Sequence, residues 1–344
     1  MTDRLRTARL SAAAVIGALV LVGAPAAASD DGAALLRQAI GADDRVSYAG
    51  EITTLVYTPH GADATVVRVD HAAPKKWRMW FVAPADAYGR LIVSNESLTY
   101  QYEPKTATVF SDAWSQSSPG VTLDLDVGKV VKNYIVEQGP SENLAGRQAI
   151  EVSLVSKYTG ALAERLWLDA RTKLVLRRET YNADGSLETK TEFDSVRFVN
   201  DLPKSLFDLT VPAGMQVKQG TTYGSQGLDA AAVQSGVHFR IVSPQALPDG
   251  FSLEKTSLGT QGGVATIQLL YTDGLRDFSV FENDTSRLPA LDSSASIDVG
   301  DAVGESANIA GETLVSWNVG GLNVTMVGDF TPKELAKIGA SIVP

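Results

Sequence analysis

The residues able to do chemistry are few and badly spaced for it. The chain has three histidines, His60, His71 and His238, and no cysteine. No two histidines stand at metal-ligand spacing, and without a thiolate a zinc site would have to gather carboxylates from scattered places. A hydrolase of the nucleophile-elbow type needs Gly-x-Ser-x-Gly, which is absent. Gly128-Lys129 has no upstream glycine at phosphate-loop spacing, and Gly259-Thr260-Gln261-Gly262-Gly263 lacks the dinucleotide-binding spacing. Among 40 acidic residues a carboxylate pair carries little information, and Asp124 and Asp126 would point apart on a helix. No catalytic group, metal or cofactor is expected. What remains is recognition.

The aromatic residues offer one surface for it. Trp77, Trp80 and Phe81 fall on one expected strand, with Trp77 and Phe81 on one side and Trp80 on the other. Tyr88, Tyr100, Tyr102, Phe110 and Trp114 follow on neighbouring segments. A curved sheet with an aromatic concave face would take an acyl chain or an extended apolar peptide. The plainer alternative is an ordinary core between sheet and helices. The hydroxyls of Tyr100 and Tyr102 need water or a partner, which suits a cavity mouth. Charge offers a second surface. The net charge is −10, and residues 228–344 hold 14 acidic and 6 basic groups. That half should repel nucleic acid and anionic membrane and suits a basic partner, unless it is only a solvated surface.

These residues must be positioned by strands and turns. A short helix with Ala33, Leu36, Ala39 and Ile40 on one face opens the chain after residue 28. Strands are expected at 46–57, 64–71, 77–82, 91–93, 98–102 and 106–110, rich in β-branched and aromatic residues. A helix over 122–134 precedes strands at 149–155, 162–169, 174–181 and 187–198, the last two joined by an Asn182-Ala183-Asp184-Gly185 turn. Residues 216–236, rich in Gln, Gly, Ser and Thr, read as a linker. Strands at 251–258, 264–271, 278–281, 312–319 and 322–328 follow, with an irregular stretch at 286–305. Thr331, Pro332 and Glu334 mark the capped start of a final helix. The fold class expected is α+β, mostly antiparallel β: a curved sheet with helices at 29–215, and a smaller α+β domain at 237–344.

The N-terminus sets the compartment. Arg4, Arg6 and Arg9 precede an apolar run at 10–22, then Ala24-Pro25-Ala26-Ala27-Ala28, the pattern of a signal peptide cleaved after Ala28. An uncleaved anchor is the alternative, but thirteen residues fall short of the roughly 20 that span a bilayer. With no cysteine there is no site for an acyl anchor, so an exported, soluble, unlipidated chain is expected.

Longer motifs now become legible. Leu144-Ala145-Gly146-Arg147-Gln148-Ala149, Tyr158 and Arg165-Leu166-Trp167-Leu168-Asp169-Ala170-Arg171-Thr172-Lys173-Leu174 resemble a signature of the MucB/RseB family. Val46-Ser47-Tyr48-Ala49-Gly50 and Val67-Arg68-Val69-Asp70-His71 are similar to its opening strands. In the second domain, Leu247-Pro248-Asp249-Gly250-Phe251, residues 271–281 and Val324-Thr325-Met326-Val327-Gly328-Asp329 match in the family's order. The resemblance implies a larger domain similar to the lipoprotein carriers LolA and LolB, a half-barrel closed by helices. It also implies a periplasmic regulator of a sigma-E-type factor, which binds a single-span anti-sigma factor, shields it from proteolysis and lets go when lipid or lipopolysaccharide binds. A homo-oligomer is compatible with the sequence. Leu275, Arg276, Asp277 and Phe278 are the expected partner contact, with a core-and-turn role as the alternative. A lipid or lipoprotein carrier is the rival function.

Overall fold

The computed structural model of the chain describes residues 30–58, 61–112, 121–123, 125–208, 211, 213–219, 230–261, 264–285, 294–309 and 312–343. The expected signal segment, His60, Trp114, Asp124 and residues 220–229 of the expected linker lie outside the described residues.

Helix α1 (Asp30–Ala39) buries Leu36 and Ala39. Twelve strands follow: β1 (Ser47–Thr58), β2 (Gly61–Ala72), β3 (Lys76–Ala83), β4 (Leu91–Asn95), β5 (Thr99–Glu103), β6 (Thr108–Asp112), β7 (Tyr134–Leu144), β8 (Arg147–Ser156), β9 (Leu162–Asp169), β10 (Val175–Tyr181), β11 (Leu187–Val199) and β12 (Gln216–Gln219). They form one open curved sheet in the order β12-β6-β5-β4-β3-β2-β1-β11-β10-β9-β8-β7. Neighbours are antiparallel except β12, which runs parallel to β6. Helix α2 (Val127–Asn133) sits before β7, and α1 lies so close to β7 that a Cβ on Gly32 would come 2.6 Å from the Val136 carbonyl oxygen. The apolar core lies between this sheet and the helices, from Leu36 and Val130 to Trp77, Leu166 and Phe193.

The second sheet holds seven antiparallel strands: β13 (Ser252–Gln261), β14 (Val264–Thr272), β15 (Asp277–Asn283), β16 (Ala295–Val299), β17 (Ala302–Ile309), β18 (Glu312–Val319) and β19 (Leu322–Gly328). Their order is β13-β14-β15-β19-β18-β17-β16. Helices α3 (Ala230–Ser235) and α4 (Pro332–Gly339) cover a separate core around Trp317, Phe278 and Leu335. The expected capping box at α4 is present: Glu334 N–H donates to Thr331 Oγ1 at 3.3 Å, and Thr331 N–H to Glu334 Oε2 at 2.8 Å.

Four stretches differ from the sequence expectation. Helix α2 starts five residues later than expected, because Asp126 takes the cap by accepting from Lys129 N–H at 3.2 Å. Strand β7 was not expected: Gly139, Pro140 and a polar run hide it, and its pairing with β8 shifts register between Gln138 and Ser141. Residues 216–219, expected as linker, form β12 on the first sheet, while 230–235 form α3 on the second. The stretch expected to be irregular contains β16 and β17, whose small and polar residues pair through the backbone.

Candidate functional site

The two sheets meet where α2 runs into β7. Two glycines of the second domain make the approach. Gly274 has φ +100°, and a Cβ there would fall 2.6 Å from Lys129 Cβ and 2.7 Å from Val130 N. Gly250 has φ +82°, and its Cβ would fall 2.9 Å from Asn133 Cγ. Glycine alone fits both the left-handed backbone and the close approach.

Asn133 is buried and saturates the contact. Its Nδ2 donates to the carbonyls of Gly250 at 3.2 Å and Asp273 at 2.7 Å, and its Oδ1 accepts from the Tyr158 hydroxyl at 2.9 Å. The next residue, Tyr134, donates its hydroxyl to Asp273 Oδ2 at 2.6 Å. Burial first, and then the Asp273 carboxylate, raise the Tyr134 phenol well above its ordinary value. Asp273 Oδ1 closes its own turn by accepting the N–H groups of Leu275 and Arg276 at 2.9 and 2.8 Å. Lys129 and Glu254 add an ion pair across the same seam.

Beside this seam opens a cleft of about 740 Å³. Apolar groups from both domains line it, among them Leu162, Leu247, Phe251 and Phe330. On the first-domain side Glu164 is buried against Arg178, at 2.8 Å. Burial raises the Glu164 carboxyl, and Arg178 pulls it back. On the second-domain side, Phe278 and Thr313 both pair with Gly328. That register brings Asp277, Glu312 and Asp329 together at one end of the sheet. Glu188 of β11 reaches the same place and accepts from the Thr180 hydroxyl at 3.2 Å. Burial, then the neighbouring Asp329, lift the Glu188 carboxyl; burial, then Asp277 and Asp329, lift Glu312. Arg276 lies 4.1 Å over the Phe330 ring and donates to the Asp329 carbonyl.

The run Leu275 to Phe278 therefore sits at this junction. Phe278 is fully buried in the second core, and Leu275 packs against the first domain's core. Arg276 and Asp277 line the cleft. The aromatic set is split by register. Trp77 pairs with Ser94 and Phe110 with Gln101, on the face where Trp77 and Met79 enter the core. Trp80, Tyr100 and Tyr102 share the opposite face, through Leu91 and Val93. Tyr88 and Phe110 are exposed. The described members thus do not line one surface.

The remaining titratable groups that the sequence singled out have structural surroundings. His71 is fully buried, stacked on Trp77 at 3.7 Å, with its two ring nitrogens 3.0 and 2.7 Å from the carbonyls of Lys76 and Asp43. Burial lowers its pKa, and the Asp43 carbonyl and carboxylate oppose that. His238 is exposed. Asp169 takes an ion pair from Arg147 and accepts from Thr172 N–H and Oγ1 at 2.8 and 2.9 Å. Burial raises this carboxyl, but those donors outweigh it and hold it below the ordinary value. Among the described residues no group of three or more metal-ligating side chains occurs, and no helix is long and apolar enough to cross a membrane.

Residues 31–210 match the family model described as the MucB/RseB N-terminal domain. The chain belongs to the MucB/RseB family. Its fold is similar to MucB in a structure of MucB in complex with MucA(peri), at a TM-score of 0.59 and 18% identity, covering 91% of this chain and 99% of that one. A MucA/MucB complex structure from Pseudomonas aeruginosa gives the same values. A further crystal structure of MucB gives a TM-score of 0.55 at 18% identity, over 92% and 98%. No curated protein matches the chain. The family motifs are legible in the sequence, but their use is not. Gly250 and Gly274 read as turn glycines, and the signal that they touch another domain lies only in the buried polar residues Asn133 and Tyr134, which no motif marks.

Proposed function

We propose that this chain is an exported negative regulator of a sigma-E-type factor. It binds the external part of a single-span anti-sigma factor, shields that part from proteolysis, and loosens when an apolar envelope ligand such as a lipid or lipopolysaccharide binds. The observation that carries this reading is that the likeness to a MucB described in complex with MucA(peri) runs through both domains, covering 91% of the chain. A lipid carrier resting on the larger domain alone would leave the second sheet, and the glycines that fit it to the first, without a purpose. The signal-peptide pattern of residues 1–28 supports action outside the cytoplasm.

The test uses purified residues 29–344, the external domain of a single-span anti-sigma factor from the same organism, and the protease that cuts that domain. The chain should bind the domain and slow its cleavage, and lipopolysaccharide or an anionic lipid micelle should restore cutting. Failure to bind overturns the reading. Binding without protection would leave a partner without a shield.

A further inference from the structure

We propose that the second domain is a latch on the first: docked, it holds α2 as a helix over the first core, and undocked, it lets α2 unwind and opens that core to an acyl chain. This rests on the reading of the chain as a binder that an apolar ligand loosens, and it names the element that couples the two.

Three observations converge on α2. The first is its sequence. Val127-Gly128-Lys129-Val130-Val131-Lys132-Asn133 spends five of its seven positions on a glycine, three valines and an asparagine, all poor helix formers. A helix so short does not persist alone in water, so its order depends on what it touches. The second observation is that it touches both domains. In the first, Val130 is fully buried in the core, and Lys157 Nζ donates to the carbonyls of Val131 and Lys132 at 2.6 and 3.3 Å. In the second, the Gly274 backbone lies against Lys129 and Val130, and Asn133 donates to the Gly250 and Asp273 carbonyls. Undocking would strip away that second set of contacts. The third observation is Leu275, which comes from the second domain yet packs against the first core. Withdrawing it with the 274 turn uncovers apolar surface of that core. Val121 and Leu123, buried in the same core, lead into α2 along the chain, so unwinding would travel into residues that shape it.

Linkage makes the latch reciprocal. If undocking favours entry of an acyl chain by some factor, the acyl chain favours undocking by the same factor. A partner held by the docked pair is thereby loosened by a ligand that never touches it.

The experiment follows the fluorescence of dansyl-undecanoic acid and hydrogen exchange in residues 29–344, with no anti-sigma factor present. Lys129 and Glu254 are ion-paired across the seam, and the chain has no cysteine of its own. In Lys129→Cys with Glu254→Cys, a short bismaleimide therefore joins only those two positions. The joined protein should take up the probe about tenfold more weakly than the same protein with each thiol capped separately, and its 127–133 amides should exchange more slowly. Gly250→Ala, whose Cβ would fall 2.9 Å from Asn133 Cγ, should act the other way. It should bind the probe about tenfold more tightly and speed exchange at 127–133, while the amides of Leu154 and Leu166 stay protected. The latch falls if joined and capped proteins take up the probe alike, if 127–133 exchange alike in both, or if no form takes it up. That result leaves the proposed function standing, because partner binding is measured separately. Loss of partner binding with the probe results intact would sink the function and leave the latch.

Discussion

Asn133 at the domain junction and Glu282 inside the second domain are both sealed from solvent, yet their surroundings differ atom by atom. Asn133 uses both amide atoms, and its neighbour Asp273 uses both carboxyl oxygens, in bonds of 2.6 to 3.2 Å. Glu282 is fully buried on β15; one oxygen accepts from Val242 N–H at 3.0 Å, and the other has no hydrogen-bond partner in the structure. A satisfied buried polar group penalises every misaligned packing and so fixes one arrangement of the two domains. An unsatisfied carboxyl fixes nothing and makes its domain sensitive to pH. The polar junction is thus where specificity lies, and the second core is where stability can be gained.

Breaking the Glu282 half of this contrast should give the largest effect. Burial, opposed only by the Val242 N–H, pushes this carboxyl up to about 8 from an ordinary 4.5. Below pH 4.5 it is neutral whether folded or unfolded and costs nothing. Between 4.5 and 8 the unfolded chain loses its proton first, so folding stability falls as pH rises, by at most about 5 kcal/mol in all. Glu282→Gln should flatten that fall, and its advantage in denaturant midpoint should grow from pH 5 to pH 9. Parallel pH profiles for the two proteins would remove the distinction between the sites.

Removing the satisfied partner comes next. Asn133→Leu strips the donors from two buried carbonyls and should cost about 3 kcal/mol, most of it in docking and not in the folding of either sheet. Hydrogen exchange should then rise in the 250 and 274 turns while Trp317 and Leu166 stay protected. Uniform loss of protection would show that Asn133 supports the first core instead. Gly274→Ala tests the same seam through the backbone. A left-handed φ and a Cβ 2.6 Å from Lys129 Cβ should cost about 2 kcal/mol, again as undocking, read by a larger radius of gyration in solution scattering.

The sequence made the local chemistry legible and left the junction dark. The Thr331–Glu334 cap and the alternation that separates Trp77 from Trp80 each depend on residues within a few positions, and each is where its pattern implied. Strand β7 was hidden because Gly139 and Pro140 interrupt its alternation, and only pairing with β8 makes it a strand. The site failed to appear for a related reason. Asn133 and Asp273 lie 140 positions apart, and neither belongs to a spacing that chemistry prescribes. The resemblance to a family brought in Gly250 and Gly274 as motif positions, but a motif does not say that its glycines are needed for another domain's approach. The aromatic residues, conspicuous in sequence, divide between two faces once register is known.

The smallest effect sharpens the contrast within the junction itself. Tyr158 and Tyr134 both donate to its buried polar pair, but Tyr158 is 50% exposed and Tyr134 only 6%. Tyr134→Phe leaves Asp273 Oδ2 without its donor in a dry place and should cost about 2 kcal/mol. Tyr158→Phe removes a bond of 2.9 Å, against 2.6 Å for Tyr134, and water from the cleft can replace the hydroxyl on Asn133 Oδ1, so a loss of only about 0.5 kcal/mol is expected. Equal losses in thermal or denaturant unfolding would mean that the cleft is closed to water beside Asn133. Then the polar seam would extend to its edge, and a partner's segment entering there would have to break a bond instead of displacing solvent.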